Sequence, residues 1–319
     1  MKLAILMDPL HVLKPCKDST VAMIKSAQTM GWSCSYFTQN DLFCRNGHAY
    51  AHAASITVGD ETTSDWAQTA SMGEQPLTAF DIILMRKDPP FDLEYIYATY
   101  ALELAEREGV LIANKPQSLR DANEKFFTLN FPQCCPLTLV SRNIRDLREF
   151  WQQHRNVIFK PLEGMGGSAV FHVNEDGRNL SVILEVLTHA QRVSIMAQKY
   201  IPEISTLGDK RILLINGEPV SHALARIPAS GELRGNLAAG ARGEVVEITD
   251  RDRWICAQIA PTLRKKGLYF VGIDVIGDYL TEINVTSPTC IREITSSTGL
   301  DIAGDYLRFL ASITTNKVT

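Results

Sequence analysis

The sequence lacks the features of a membrane protein, a secreted protein and a nucleic-acid-binding protein. It contains no run of 18 or more apolar residues, which argues against a membrane span. The five apolar residues after Met1-Lys2 end at Asp8-Pro9 and are too few for a signal peptide. The 32 Lys and Arg are outnumbered by 36 Asp and Glu, giving a net charge of −4. A chain with this balance has no excess of positive charge for nucleic acid or anionic lipid.

Paired cysteines are also missing. The seven Cys are an odd number and form no Cys-x-x-Cys motif, and the adjacent Cys134 and Cys135 do not have a usual zinc or redox spacing. We therefore expect a reduced, cytoplasmic protein. What is present is ordinary for a well-packed core: 319 residues, 45% of them hydrophobic and 21% charged. This length allows two domains, or one domain with insertions.

Strand-like and helix-like patterns alternate over the first 120 residues. Short apolar runs at 3–7, 33–37, 82–85 and 110–113 predict strands, and Asn46-Gly47 is typical of a hairpin turn. Helical spacing follows Asp18-Ser19 and recurs over 93–107. The alternation predicts an α/β fold with a mainly parallel sheet.

A glycine-rich loop, Glu163-Gly164-Met165-Gly166-Gly167-Ser168, lies between predicted strands at 157–161 and 169–173. Phosphate loops of the Rossmann and Walker A types open a helix, so this loop is interpreted as a flap that covers a nucleotide. Lys160, at the end of the first strand, could reach phosphates, and Lys125 lies at a predicted helix start. Taken alone, either lysine is more often a solvated surface charge.

Residues 229–243 combine four glycines with Arg234, Asn236 and Arg242. Such a stretch cannot build a core, and two interpretations remain open. It is either a plain surface loop or a mobile lid that closes over an anionic substrate.

The segment 272–284 predicts two apolar strands joined at Gly277-Asp278. Glu282 and Asn284 are two residues apart and therefore share a strand face. Oxygen ligands in an apolar hairpin suit a hard cation such as Mg²⁺. Asp274 joins that face if the loop has three residues, and faces away if it has two.

Several longer motifs in the sequence resemble those of a known enzyme superfamily. Lys-Pro-Leu-Glu-Gly-Met-Gly-Gly (160–167), Asp209-Lys210-Arg211 opening a predicted hairpin, and the Asp274…Glu282-x-Asn284 pattern resemble the ATP-grasp superfamily. Segments at 7–9, 85–91, 114–121, 234–240 and 281–293 resemble the bacterial glutathione synthetase family within it. These matches extend over nearly the whole chain. Glu163, where the family has Asp, and Ala241, where it has Gly, are the departures, and neither removes a ligand or a charge.

The resemblance implies a fold and a reaction. The fold is an N-terminal, mainly parallel α/β domain (1–122) followed by a two-part ATP-grasp fold of α+β type. Its first part, 123–200, carries the glycine-rich loop, and its second part, 201–319, carries the lid 229–243 and the metal site. The reaction joins γ-glutamylcysteine to glycine with ATP through an acyl phosphate. The resemblance further implies Mg²⁺, with Mn²⁺ as an alternative ion, and a homo-oligomer, either a tetramer or a dimer.

The resemblance also implies residue roles. ATP is bound by Lys125, Lys160, Gly164, Met165, Gly166, Gly167, Gln198, Lys199, Tyr200, Ile201 and Asp209. The metal ligands are Asp274, Glu282 and Asn284. Arg211, Arg226, Arg234 and Arg242 stabilise the charge of the reacting groups, and Arg86, Asn236, Ser287 and Thr289 bind the dipeptide.

Two other functions are compatible with parts of this pattern. One is another ATP-grasp ligase, such as one that adds amino acids to a peptide terminus. The segments 85–91 and 114–121 argue against it because they lie outside the shared ATP machinery. The other is a nucleotide-binding regulatory protein without catalysis. The presence of Asp274, Glu282, Asn284, Arg234 and Arg242 argues against that.

Overall fold

The structure is a computed structural model that describes residues 1–164, 167–229, 232, 235 and 240–315, with only the backbone of Thr315. Within these residues, no helix has both the length and the apolar character needed to cross a membrane.

The N-terminal part is a seven-stranded sheet with helices packed on it. Its strands are β1 (Lys2–Leu6), β2 (Ser33–Phe37), β3 (Leu42–Arg45), β4 (His48–Val58), β5 (Ala67–Pro76), β6 (Ile82–Met85) and β7 (Leu111–Ala113). The order is β3-β4-β2-β1-β6-β7, with β5 paired to β4. Strands β2, β1, β6 and β7 pair in parallel, which confirms the predicted α/β sheet. The helices are α1 (Ser19–Thr29), α2 (Leu93–Arg107) and α3 (Pro116–Asp121).

An antiparallel extension of this sheet was only partly predicted. Asn46-Gly47 does join β3 to β4, with positive φ at both residues, as a tight hairpin turn requires. Strand β5 was not predicted. Most of its residues are exposed, so it has no alternation of apolar and polar positions from which a strand could be recognised.

Two further sheets follow. The first contains β8 (Thr138–Ser141), β9 (Val157–Pro161), β10 (Phe171–Val173) and β11 (Ile195–Lys199), in the antiparallel order β10-β9-β11-β8. One face of this four-stranded sheet is covered by α4 (Ile144–His154) and α5 (Leu180–Leu187). Strand β10 is shorter than the predicted strand at 169–173.

The last sheet has five antiparallel strands. They are β12 (Asp209–Ile215), β13 (Glu218–Ile227), β14 (Arg242–Glu247), β15 (Phe270–Ile276) and β16 (Tyr279–Asn284), in the order β14-β13-β12-β15-β16. The accompanying helices are α6 (Ile204–Leu207), α7 (Asp250–Lys266), α8 (Ile291–Thr298) and α9 (Ile302–Thr315). Helices α8 and α9 share a hydrophobic cluster with β1 and α1. The predicted domain boundaries at 122 and 200 fall between the three sheets and stay predictions.

The five-stranded sheet has one apolar face and one charged face. Ile212, Ala223, Ile273 and Val275 belong to the apolar core that also contains residues of α7. Alternate positions point to the opposite face because successive side chains alternate along a strand. The alternation and the strand register place six polar side chains on that second face: Asp209, Arg211, Arg226, Asp274, Glu282 and Asn284. The site is built on this face.

A buried ion pair fixes α7 to this sheet. The Lys210 ammonium donates to both carboxylate oxygens of Asp252 at 2.6 Å, and Asp252 is fully buried. Replacing Asp252 with alanine leaves the Lys210 charge buried without its partner, so we expect a loss of about 3–5 kcal/mol in the free energy of unfolding. Denaturant unfolding measures this loss. Asp250→Asn, an exposed change in the same helix turn, should cost less than about 1 kcal/mol. Equal losses in the two variants would contradict the expectation.

A second ion pair predicts how stability depends on pH. Glu103 on α2 accepts hydrogen bonds from Arg120 and from Arg107, and the Arg120 bond holds the pKa of Glu103 below its usual value. A carboxyl whose pKa falls on folding stabilises the protein above its unfolded pKa, and this contribution is lost as the pH drops through its folded pKa. Glu103→Gln should therefore lower the unfolding free energy by about 1 kcal/mol at pH 7, and the deficit should shrink in acid.

Thermal unfolding of both proteins between pH 3 and pH 7 tests this expectation. The control is Glu218→Gln, because Glu218 pairs with Arg264 but its side chain is 75% exposed. That variant should follow the parent protein at every pH. A Glu103→Gln deficit that is the same at pH 3 and pH 7 would rule out the titration of this carboxyl as the cause.

Candidate active site between two sheets

A cavity of about 500 Å³ lies between the four-stranded and the five-stranded sheets. Its lining includes eleven residues that were predicted to bind ATP or metal: Lys125, Lys160, Gly164, Gly167, Gln198, Lys199, Tyr200, Ile201, Asp209, Asp274 and Glu282. The structure therefore brings together residues that are up to 157 positions apart in the sequence. Met165 and Gly166 lie outside the described residues.

One wall of the cavity comes from β9, β10 and β11. Ile158 pairs with both Gln198 and His172, so the three side chains share a sheet face, and Lys160 follows on that face two residues further. The Lys160 ammonium is buried, which lowers its pKa, and it lies 3.5 Å from the Thr281 carbonyl oxygen. The Gln198 side chain is fixed by a 3.1 Å hydrogen bond to Thr138. This wall thus has an apolar part and a cationic end.

Lys125 reaches the same end from a short helical turn, Phe126–Asn130, which it precedes. Its ammonium donates to Glu124 and to the Gly164 carbonyl oxygen at 2.9 Å, and lies 3.9 Å from Glu282. Burial alone would lower the pKa of Lys125, but Glu282 and Glu124 raise it above its usual value. Lys125 therefore stays protonated, and it also contacts the start of the glycine-rich loop at Gly164.

The opposite wall is the charged face of the five-stranded sheet. Arg211 Nε and Nη2 donate to the two oxygens of Asp274 at 2.5 and 3.0 Å. Arg226 Nη2 lies 3.1 Å from Asp274 and donates to Asp209 at 2.6 Å. All four groups are mostly buried. Burial opposes ionisation of Asp274, but the two arginines outweigh it and hold the pKa of Asp274 well below its usual range.

Asp209 has an unsatisfied oxygen. Its Oδ2 accepts the Arg226 bond, whereas its buried Oδ1 has no hydrogen-bond partner among the described residues. Burial, together with the charges of Asp274 and Glu282, raises the pKa of Asp209 to about 7. A buried acceptor without a donor is costly, so its presence in a cavity indicates that a bound molecule completes this site.

The predicted metal residues share one face of the five-stranded sheet, but a β-bulge rather than a three-residue loop places Asp274 there. A two-residue turn was expected to point Asp274 away from Glu282. The turn does have two residues, Gly277-Asp278, but the register shifts between Asp274 and Val275. This β-bulge adds one residue to β16 and places Asp274 directly opposite Glu282. Bulges cannot be recognised from apolar alternation alone, so the sequence left this point open.

The oxygen atoms of Glu282 and Asn284 are suitable ligands for Mg²⁺, whereas those of Asp274 are already engaged. Glu282 lies 3.8 Å from Lys160 and 3.9 Å from Lys125, and accepts no closer bond from either. Asn284 donates from Nδ2 to Asp274 at 3.4 Å, which leaves its carbonyl oxygen for another partner. Both Asp274 oxygens already accept bonds from arginine. Among the described residues, no three His, Cys, Asp or Glu side chains form a metal cluster. Glu282 and Asn284 are thus the better placed ligands, and Asp274 holds the arginines.

The other residues predicted for the site lie away from the cavity or outside the described residues. The Arg242 side chain is 74% exposed and pairs with Glu244. Arg86, directly after β6, is buried. It donates to the Thr20 hydroxyl on α1 and to the carbonyl oxygen of Pro288, which follows β16, both at 3.0 Å. Ser287 bonds Asp88, and Thr289 is exposed. Arg234, Asn236 and most of the predicted lid lie outside the described residues.

The cavity also contains an aromatic pair that was not predicted from the sequence. His172 and Tyr200 stack with ring centroids 4.1 Å apart, and both line the cavity. Ile158, Ile204 and Ile276 add apolar surface to the same lining. The only sequence signal was the position of His172 on a short strand after the glycine-rich loop. Its opposition to Tyr200 depends on the pairing of β10 with β9 and of β9 with β11.

This fold and this lining define an ATP-grasp ligase. Solved structures agree on the fold. A D-cycloserine synthetase superposes with a TM-score of 0.68 at 14% identity, over 98% of this chain and all of the other. An ATP-grasp ligase complexed with a minimal precursor, Mg and ADP gives 0.62 at 17% identity, over 98% of both chains.

The sequence comparisons define the family. The N-terminal domain of prokaryotic glutathione synthetase matches residues 1–120, and its ATP-grasp domain matches residues 124–307. The glutathione synthetases of Pseudomonas aeruginosa and Escherichia coli K12 are 56% and 53% identical over 294 residues, each covering 92% of both chains. The chain belongs to the prokaryotic glutathione synthetase family. The predicted fold and the predicted activity, an ATP-dependent ligase that makes glutathione, are confirmed.

Proposed function

We propose that the cavity between the two sheets binds ATP with its phosphates at the lysine end. The carrying observation is that two buried lysines, Lys125 and Lys160, lie 3.9 and 3.8 Å from the Glu282 carboxylate of the facing sheet, at one end of the cavity. Ile158 is two residues before Lys160 on β9, and Ile276 is two residues after Asp274 on β15. Two strand residues span about 7 Å, which separates a base-binding end from a phosphate-binding end.

The base-binding end is apolar with a few polar groups. The stacked His172 and Tyr200 rings and Ile276 offer flat and apolar contacts to an adenine ring. Gln198, Lys199 and Ile201 also line the cavity and are proposed to contact the edge of the base. The phosphate end holds the two ammonium groups, which neutralise charge without a covalent step.

Glu282 and Asn284 are the residues that would hold Mg²⁺, with Asp274 behind them. The ion supplies charge neutralisation and orientation of phosphate oxygens when it is bound. Mn²⁺ is the proposed alternative ion, because it accepts the same carboxylate and amide oxygen ligands. Arg211 and Arg226 are held at this point by their bonds to Asp274, which fixes their positions before any substrate arrives.

The proposed reaction has two steps. The cysteinyl carboxylate of γ-glutamylcysteine attacks the γ-phosphorus of ATP, its oxygen forms the new P–O bond, and ADP leaves. The glycine amine then attacks the acyl carbon and displaces phosphate, losing a proton as the amide forms. Arg211 and Arg226 stabilise the negative charge that grows on the phosphoryl and acyl oxygens. Arg234 and Arg242 are proposed to contribute from the lid.

The location of the enzyme, its oligomeric state and its dipeptide-binding residues are also proposals. A cytoplasmic location is supported by the seven cysteines, all of them free thiols in the structure. Self-association into a dimer or tetramer follows the common pattern of symmetric homo-oligomers. Dipeptide binding by Arg86, Asn236, Ser287 and Thr289 also stays a proposal.

The deciding experiment measures ADP release by the purified protein with ATP, Mg²⁺ and γ-glutamylcysteine, with and without glycine. We expect release that requires every component and yields glutathione. The Glu282→Gln protein serves as the inactive control. If ATP binds but no ADP forms with this substrate pair, the assignment of the ATP site stands and the proposed substrates are wrong. A screen of other acid and amine pairs would then identify the substrates.

A further inference from the structure

Lys125 lies between two carboxylates, and only one of them belongs to the proposed metal site. Its ammonium donates to the carboxylate of the preceding residue, Glu124, and to the Gly164 carbonyl oxygen at 2.9 Å. The Glu282 carboxylate is farther away, at 3.9 Å from the same nitrogen. Glu124, which was not among the residues predicted for the site, is therefore the carboxylate that Lys125 hydrogen-bonds, and Glu282 is left without that bond.

The backbone of Glu124 is held against β16, the last strand of the five-stranded sheet. Its carbonyl oxygen accepts a 2.8 Å hydrogen bond from the Ile283 N–H. Ile283 separates Glu282 from Asn284, the two residues proposed to hold Mg²⁺. This main-chain bond places Glu124 beside both ligands, and it does not depend on the Glu124 side chain. A change of that side chain should therefore leave the strand and the turn in place.

The charges around Lys125 show that the two carboxylates compete for it. Burial and the negative charge of Glu282 raise the pKa of Glu124, whereas Lys125 lowers it. Glu124 and Glu282 thus repel each other, and both attract the Lys125 side chain, which is only 5% exposed. Attraction between opposite charges is strong where water is largely excluded. If Glu124 lost its charge, Glu282 would be the nearest charged carboxylate left for Lys125 among the described residues.

We propose that Glu124 is a positioning residue that holds the Lys125 ammonium away from Glu282 and so keeps the Glu282 carboxylate free for the metal ion. This inference rests on the proposed Mg²⁺ and ATP site. A carboxylate that accepts a hydrogen bond from a lysine must give up that bond before the same oxygen can coordinate a cation. Glu124 gives Lys125 a partner of the same charge, and the lysine stays beside Gly164 at the phosphate end.

The test titrates Mg²⁺ into the purified protein with ADP and follows ADP binding by equilibrium dialysis, so that no turnover is involved. Glu124→Gln keeps the size of the side chain but removes its charge. The half-saturating Mg²⁺ concentration should rise by on the order of tenfold, the effect of one charge-assisted hydrogen bond. A loss of folded protein would lower the number of binding sites without shifting this concentration. Glu149→Gln, in the exposed pair with Arg145 on α4, is the matched control and should bind as the parent does.

A second background separates an action through Lys125 from a direct attraction of the ion by Glu124. In Lys125→Met there is no ammonium to hold, so adding Glu124→Gln should leave the Mg²⁺ requirement of that variant unchanged. A shift of equal size in both backgrounds would overturn the inference, because Glu124 would then act on the ion directly. An unchanged Mg²⁺ requirement in folded Glu124→Gln would also overturn it, with the proposed metal site left standing. A parent protein that binds ADP equally well with and without Mg²⁺ would overturn the metal site and this inference together.

Discussion

Glu282→Gln is expected to lower turnover by on the order of 10²–10³-fold and to leave the fold intact. The glutamate faces the cavity at the phosphate end, beside Lys125 and Lys160, and is the carboxylate best placed to hold Mg²⁺. The amide keeps one ligand oxygen but loses the negative charge, which weakens the hold on the ion by several kcal/mol in the transition state, and each 1.36 kcal/mol is a tenfold change in rate. The neutral amide keeps the size of the side chain, so the hairpin should pack as before.

Steady-state kinetics over a range of Mg²⁺ concentrations measures this effect. A weakened ion site should show a higher Mg²⁺ requirement as well as a lower maximal rate. Asp278→Asn is the matched control, since it removes a carboxylate from the exposed turn of the same hairpin. That variant should turn over normally. Near-normal rates in a folded Glu282→Gln enzyme would refute the metal assignment.

Arg211→Met should be the most damaging single change, because it affects stability and turnover together. The guanidinium makes two bonds to Asp274 in a buried setting. Without it, the Asp274 carboxylate keeps, among the described residues, its contacts with Arg226 and Asn284. Breaking a buried ion pair by removing one partner typically costs about 3–5 kcal/mol. This loss is a large fraction of the total stability of most domains, so we expect a clearly lower midpoint in denaturant unfolding.

Arg211→Lys separates the two effects. Lysine keeps the charge, so the folded state should survive with a smaller loss of stability. It cannot form the two-bond fork, so the position of the charge is lost and turnover should fall by on the order of 10²-fold. Arg264→Lys, in an exposed pair with Glu218, is the control and should change neither quantity. An Arg211→Lys enzyme with full turnover would show that the fork to Asp274 has no role in catalysis.

Much of the fold could be predicted from the sequence because the signals were local. Strands at 33–37, 82–85 and 157–161 and the helix at 93–107 have the predicted bounds. Buried strands are short apolar runs, and a capping residue or a glycine marks a helix end wherever it lies in the chain. Helix α7 shows this well, with a Thr249–Asp252 capping box at its start and Gly267 at its end.

The identity of the charged residues was also available from the sequence. Lys125, Lys160, Asp209, Glu282 and their glycine-rich loop could be chosen because their types and the motifs around them resemble those of ATP-grasp ligases. Most of the chosen residues that the structure describes meet in one cavity. Residue type fixes much of the chemistry available to a site, since lysine and arginine neutralise phosphates and oxygen ligands hold Mg²⁺.

Only the tertiary structure decided how those groups face one another. The bulge after Asp274 sets which way its carboxylate points, and the pairing of β9 with β10 and β11 brings the His172 and Tyr200 rings together. Each of these depends on the register or packing of segments distant in the chain. A one-residue change of register turns a side chain to the other face of a sheet, and no local pattern in the sequence records it.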